Sequence, residues 1–216
     1  MFSSVGTGSR RRLAAGAGIL ALGWLGVTAL RWRAHRPVVE GVPAYRHYGA
    51  RDAKIVITEF SDFQCPACRM AAEAVRSVKA RHAKKVTLVF RHKPLTKIHP
   101  HAFLAAQAAE CVGRQGKFWE YHDLLFQRQR EWTAAPDVKA ALVELAADLG
   151  LDRAGMQACL GNPETVRPIM KDIDAAEQKS VNATPTFLVN EDRCVGARQF
   201  LTRCLPDIRR KLGEAE

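Results

Sequence analysis

Ile55-Val56-Ile57-Thr58-Glu59-Phe60, a short gap, Cys65-Pro66-Ala67-Cys68, and then an alanine-rich amphipathic segment from Arg69 read as strand, short loop and helix. Two cysteines therefore stand at a helix start. The first turn of a helix carries unpaired N–H groups and a partial positive charge, which favour thiolate over thiol. Thiolate is the form that attacks a disulfide, so Cys65 is the expected nucleophile. Cys68 lies one turn away, close enough to bond Cys65 or to resolve a mixed disulfide. Pro66 fits the first helical turn, where a missing N–H costs nothing.

The pair admits two other readings. Half a zinc site needs a second Cys/His pair at ligand spacing. Cys111, Cys159, Cys194 and Cys204 form no second CxxC, and His99 and His101 are two apart, so no metal is expected. A purely structural disulfide is poorly placed at a strand-to-helix junction to staple distant segments.

The 216 residues can bury one main core. Net charge is +11, of which +6 falls in residues 1–39, where six arginines meet no acid. In the remaining chain Lys and Arg are dispersed among acids, with no basic stripe interleaved with aromatics, so nucleic acid is not expected as a partner. Arg10-Arg11-Arg12 precedes an uncharged run, Leu13 to Leu30, and Arg31-Trp32-Arg33 follows. The run exceeds the roughly 7–15 residues of a secretory signal core and approaches the ~18 that suggest a membrane span. Residues 1–36 are read as a signal-anchor in preference to a removed signal peptide; a twin-arginine match at Ser9–Leu13 is loose. Six cysteines behind such a leader point to an oxidising compartment.

Residues 37–53, broken by Pro37, Gly41, Pro43 and Gly49, read as a linker, and the domain is expected over 54–212. Its first strand, about 54–60, is nearly all apolar and so central in a sheet. Glu59 interrupts it. A carboxylate in a buried strand is costly without a role; a proton relay for the cysteine pair is one reading and an outward-facing edge residue the other. A helix to about His82 and a strand, Val86 to Phe90, complete a β-α-β unit. Helical segments follow over about 96–180. Phe118, Trp119, Tyr121, Leu124, Leu125 and Phe126 have the spacing of a helical core face rather than a ligand box. Strands return at Thr186–Val189 and Arg193–Val195, then a helix, about Gln199 to Leu212, that Pro206 kinks or breaks. Pro185, at a strand start, is a candidate for a cis bond, with the trans turn as the alternative.

In this order, Glu-Phe-Ser-Asp-Phe-Gln-Cys-Pro-Ala-Cys, His-Pro-His-Ala, Gly-Lys-Phe-Trp-Glu-Tyr-His-Asp and Ala-Thr-Pro-Thr-Phe resemble DsbA-like thiol–disulfide oxidoreductases of the thioredoxin superfamily, especially the membrane-anchored single-domain forms. The resemblance implies an α/β thioredoxin-like fold with a helical domain inserted between its halves. It implies that Cys65 is the exposed nucleophile, Cys68 the buried resolving cysteine, Glu59 the buried acid and Pro185 a cis-proline. Thr184, Pro66 and Ala67 would meet the substrate. Ala67 stands where the best-studied oxidases carry a histidine, which removes one stabiliser of the thiolate. The same resemblance pairs Cys111 with Cys159 in the helical insertion. Cys194 and Cys204 would form a second staple or remain packed free thiols.

The expected function is a monomeric disulfide oxidase of the bacterial cell envelope, anchored in the inner membrane or released to the periplasm. It would act on reduced or misoxidised exported proteins with its own Cys65–Cys68 disulfide and no cofactor, and be reoxidised by a quinone-coupled membrane protein. A reductase or isomerase of the same fold, a peptide-binding chaperone with a structural CxxC, and a glutathione-dependent transferase are the competitors.

Overall fold

The computed structural model describes Met1 and residues 39–214. The leader expected over 1–36 lies outside them. Five strands form one sheet in the order β1-β3-β2-β4-β5. The strands are β1 (His47–Gly49), β2 (Ile55–Ser61), β3 (Val86–His92), β4 (Thr186–Val189) and β5 (Asp192–Val195). β2 and β3 are parallel, joined across helix α1 (Pro66–His82); the β1–β3, β2–β4 and β4–β5 pairs are antiparallel. β2 and β3 are buried almost throughout, as their continuous apolar runs require of central strands.

Between β3 and β4 the chain makes six α-helices, α2 (Ala102–Gly113), α3 (Phe118–Gln127), α4 (Gln129–Thr133), α5 (Val138–Asp148), α6 (Arg153–Leu160) and α7 (Val166–Gln178), with a 3-10 turn (Pro163–Thr165) before the last. Against one face of the sheet, Ile55, Ile57, Leu88, Phe90, Phe187 and Val189 join α1, the aromatic face of α3 and the carboxy-terminal helix in one core. Phe60, on the opposite face, packs with Ala176 and Val181 behind α7. The α3 face is apolar as its spacing predicts: Phe118, Trp119, Tyr121, Leu125 and Phe126 are buried.

Two readings need correction. The linker expected over 37–53 is not all connector. Ala44–Arg46 makes a 3-10 turn, Arg46 is fully buried, and His47–Gly49 pairs with Val89–Thr87 of β3 as an edge strand. Gly49 is required there: its φ is +93°, and a Cβ would come within 2.2 Å of the Val86 carbonyl oxygen. Second, the last helix begins at Gly196. It runs as α8 (Gly196–Gln199), a π-helical turn (Phe200–Cys204) and α9 (Leu205–Leu212), and the chain does not break at Pro206. The missing N–H of Pro206 and its ring both fall against the preceding turn, which is the widened one.

Disulfides join Cys111 of α2 to Cys159 of α6, and Cys194 of β5 to Cys204 of the π turn. Among the described residues no helix is long and apolar enough to cross a membrane, and no group of His, Cys, Asp and Glu could hold a metal ion.

Candidate active site

Cys65 caps the amino terminus of α1 in an extended conformation, and Cys68 follows inside the first turn. Both are free thiols. Cys65, expected to be exposed, is buried like Cys68, because it packs against the cis-proline loop; it still keeps 7% of its surface open and Cys68 none, so Cys65 is the more accessible of the two. Pro66 is exposed and Ala67 half-buried beside them. The Thr184–Pro185 peptide bond is cis, and the Cys65 thiol lies 3.6 Å from the Thr184 carbonyl oxygen. The structure thus brings together Cys65, Cys68, Thr184 and Pro185, which lie far apart in the chain.

The two sulfurs differ strongly as acids. The Cys68 thiol, donating to Cys65, is the largest influence on its neighbour. Burial opposes it, but the Thr184 side chain and the backbone N–H groups of Cys68 and Ala67 add to it, and the Cys65 pKa is lowered to about 5. Burial, then the Cys65 sulfur itself, pushes the Cys68 thiol well above its ordinary value. Near neutral pH the pair is one thiolate and one thiol.

The loop before Cys65 is held from three directions. Asp62 accepts from the Gln64 N–H at 2.8 Å in an Asx turn, and from the Leu95 N–H and His99 Nδ1, each at 2.8 Å. The Asp62 N–H itself lies 3.5 Å from Cys68 Sγ. Gln64 accepts from the His101 N–H at 2.7 Å. Gln129 of α4 donates to the carbonyls of Phe63 and Cys65, at 2.8 and 3.0 Å. Sequence reasoning missed Asp62, Gln64 and Gln129. Asp62, with an amide two residues on, carried an Asx-turn signal; Gln129 carried none, because its partner is supplied by tertiary packing.

Glu59 is not an outward edge residue. It lies mid-strand between Phe90 and Phe187, only 3% exposed, and neither carboxylate oxygen has a hydrogen-bond partner among the described residues. Burial raises its pKa, while His122 and Ser61 pull the other way. Ser61 also lowers the pKa of Cys68, so one hydroxyl is shared by the surroundings of the acid and of the resolving thiol.

A thioredoxin family profile matches residues 42–201, which includes β1 and reaches the start of the π turn. Among solved structures, Pseudomonas aeruginosa DsbA2 is 26% identical with a TM-score of 0.63, over 80% of this chain and 97% of that one. BdbD from Bacillus subtilis has the same fold at 21% identity and a TM-score of 0.66, over 80% of this chain and 95% of its own. Curated relatives include proteins named Na(+)/H(+) antiporter NhaA 3 from Salinispora tropica and Na(+)/H(+) antiporter NhaA from Herminiimonas arsenicoxydans. The first is 41% identical over 67% of this chain, the second 33% identical over 82%. The chain spans only 21% and 28% of their lengths. A CxxC on the first turn of α1, a cis-proline beside it and a helical insertion between the two halves of the sheet accompany that match, and the chain belongs to the thioredoxin family, in its DsbA-like form.

Proposed function

We propose that the chain is an extracytoplasmic disulfide oxidase that transfers its Cys65–Cys68 disulfide to exported proteins. The observation that carries this reading is the asymmetry of the pair: an accessible sulfur stabilised as thiolate and a buried sulfur held as thiol. A fold that stabilises one reduced sulfur by a shift from 9.0 to about 5 makes its own disulfide the less stable form, and therefore an oxidant. Ala67 leaves the motif without a histidine, but the Cys68 thiol, two backbone N–H groups and Thr184 do the stabilising instead.

In the proposed reaction a substrate thiolate attacks Cys65 Sγ. The Cys65–Cys68 bond breaks and its electron pair leaves on Cys68, which takes up a proton. A second substrate thiol loses its proton and attacks the substrate sulfur of the mixed disulfide, and Cys65 leaves as thiolate. The substrate is oxidised by two electrons and the enzyme reduced by two; a quinone-coupled membrane protein would reoxidise it. Thr184, Pro66 and Ala67 frame the approach to Cys65, and Pro185 fixes the Thr184 carbonyl beside it. The domain would act as a monomer in the cell envelope, tethered by residues 1–36, with neither nucleic acid nor a bound cofactor involved. Antiport is not carried over from the curated relatives, because the shared segment is a minor part of those proteins.

Ala67 favours one second reading, a reductase fed by a membrane electron donor. The reduction potential separates the two. Equilibrated against glutathione, the oxidase account expects a value above about −180 mV; one below about −250 mV overturns it in favour of the reductase.

A further inference from the structure

The exchange chemistry needs a proton at Cys68, which is wholly buried, and Glu59, the acid nearest in role, is buried as well. A proton must therefore cross the core to reach either. Among the described residues, both Glu59 oxygens, Ser61 Oγ and His122 Nε2 are buried in this layer without hydrogen-bond partners. Unpaired buried groups are costly and rare, and four in one layer call for a common cause.

His122 sits on α3, fully buried among aromatic rings. Its ring centroid is 5.3 Å from Phe90, the register partner of Glu59, and 5.9 Å from Phe63 of the active-site loop. Its other nitrogen, Nδ1, lies 2.9 Å from Asp123 Oδ1. Asp123 is partly exposed, is paired with Lys79 of α1, and lines a surface cleft of about 250 Å³ between α1 and α3. Burial raises the pKa of Asp123, but His122 and Lys79 outweigh that and hold it below the usual range. Other charged groups bear on this route: Arg69, Glu73 and Arg76 line the cleft. His92 of β3, which shares the Phe90 and Phe118 rings with His122, is committed to Glu110.

We propose that His122 and Asp123 form the route by which Glu59 exchanges its proton with solvent, through the cleft between α1 and α3. The proposal rests on the exchange reading above. When the Cys65–Cys68 bond breaks, the Glu59 carboxyl protonates Cys68 and becomes a carboxylate. His122 Nε2–H returns a proton to Glu59, and water entering from the cleft protonates His122 Nδ1, whose N–H the Asp123 carboxylate then accepts. Reoxidation drives the same steps backwards, so the ring changes tautomer once in each direction per redox cycle and one proton enters and leaves. The dithiol state matches one end of that cycle, with Nδ1 on Asp123 and Nε2 without a hydrogen-bond partner among the described residues. His122 and Asp123 are positioning residues in this scheme, since neither touches substrate. None of the residues expected to meet substrate lines the cleft.

The test follows reduction of the Cys65–Cys68 disulfide in the full chain by dithiothreitol, with quenched alkylation of the freed thiols, between pH 5 and 9. The variants are His122→Ala and Asp123→Asn, the second at a part-exposed position that keeps the test open if the first fails to fold. The expected result is a slowing on the order of tenfold or more, increasing with pH as solvent protons become scarce. In His122→Ala, added imidazole is expected to restore part of the rate. Wild-type rates in the variants across the whole range would overturn the route, as would an equal slowing at every pH with no imidazole rescue. A wild-type chain that did not react at Cys65 would instead overturn the exchange reading itself.

Discussion

Two clusters of buried polar residues lie within this one core and are built on opposite rules. On the β1 side, Arg46 pairs with Glu110 and Asp172, Arg91 pairs with Asp172 at 2.9 Å, and His92 Nε2 lies 3.0 Å from Glu110. Tyr45 donates to Glu110 at 2.6 Å and the His92 N–H donates to Asp172 at 2.9 Å. Burial alone would raise the pKa of Glu110, yet His92, Arg46 and Tyr45 bring it below the usual carboxylate range. The cluster clasps the segment before β1 to β3, α2 and α7. Around Glu59, by contrast, a carboxyl group, a hydroxyl and an imidazole nitrogen lie buried without hydrogen-bond partners among the described residues, and the carboxyl pKa is raised. Paired charges hold the fold together. The clasp also leaves Arg46 Nε, Arg46 Nη2 and Arg91 Nε without hydrogen-bond partners, but on side chains that are themselves ion-paired; Glu59 has no ion pair among the described residues, and it lies on the side of the thiols.

The largest effect should come at the unpaired side. Cys65→Ser is expected to abolish disulfide exchange altogether, measured with a dithiol peptide substrate, because no other accessible thiol is present among the described residues. Exchange that survived would make the cysteines a staple and favour a peptide-binding role. At the paired side, Arg46→Ala should cost stability rather than chemistry. Removing Arg46 leaves Glu110 to Tyr45 and His92 and Asp172 to Arg91 and the His92 N–H, so two buried carboxylates lose the guanidinium they share, a loss of about 3–5 kcal/mol in denaturant unfolding. The Cys65 pKa of the folded fraction should not move. A loss below about 1 kcal/mol would mean that the cluster is not a clasp.

Glu59→Gln gives a smaller effect of the opposite sign. Because the folded-state pKa of Glu59 is raised, the native protein holds a proton that the unfolded chain releases, so its burial reduces stability as pH rises from the unfolded value through the folded one. The variant should therefore gain about 1–3 kcal/mol at pH 8 and much less at pH 4, read from paired unfolding curves. A gain independent of pH would contradict a protonated Glu59. The pH response of the Glu110 side runs the other way: its depressed pKa adds stability above the unfolded value, lost as pH falls through the folded one.

The sequence is legible where the code is local. Continuous apolar runs announce β2 and β3; two cysteines and a proline behind a strand announce α1 and its reactive end; Gly and Asp punctuation places most helices of the insertion. Even Glu59 stands out, because a carboxylate in an apolar run is a local anomaly. The clasp is different. Arg46 reads as one more charged linker residue, and only its position under α2 and α7 buries it. β1 is three residues long, with Gly49 in it, and exists because β3 offers an edge. Gly113 looks like a helix stop, but a Cβ there would lie 2.5 Å from the Tyr45 ring, so it makes room for the residue that reaches Glu110. His122 and Asp123 sit within a helical face whose aromatic spacing explains it fully; nothing local marks the first as a charge that acts on Glu59 or the second as the wall of a cleft.

The most direct test of the account is the thiolate absorbance of the reduced protein, followed against pH from 3 to 10. The structure predicts one thiolate's worth of absorbance, from Cys65, with a midpoint near pH 5, and no second step from Cys68 below pH 9. Two thiols titrating together at about 8–9, as unperturbed cysteines do, would contradict it and remove the basis for an oxidant.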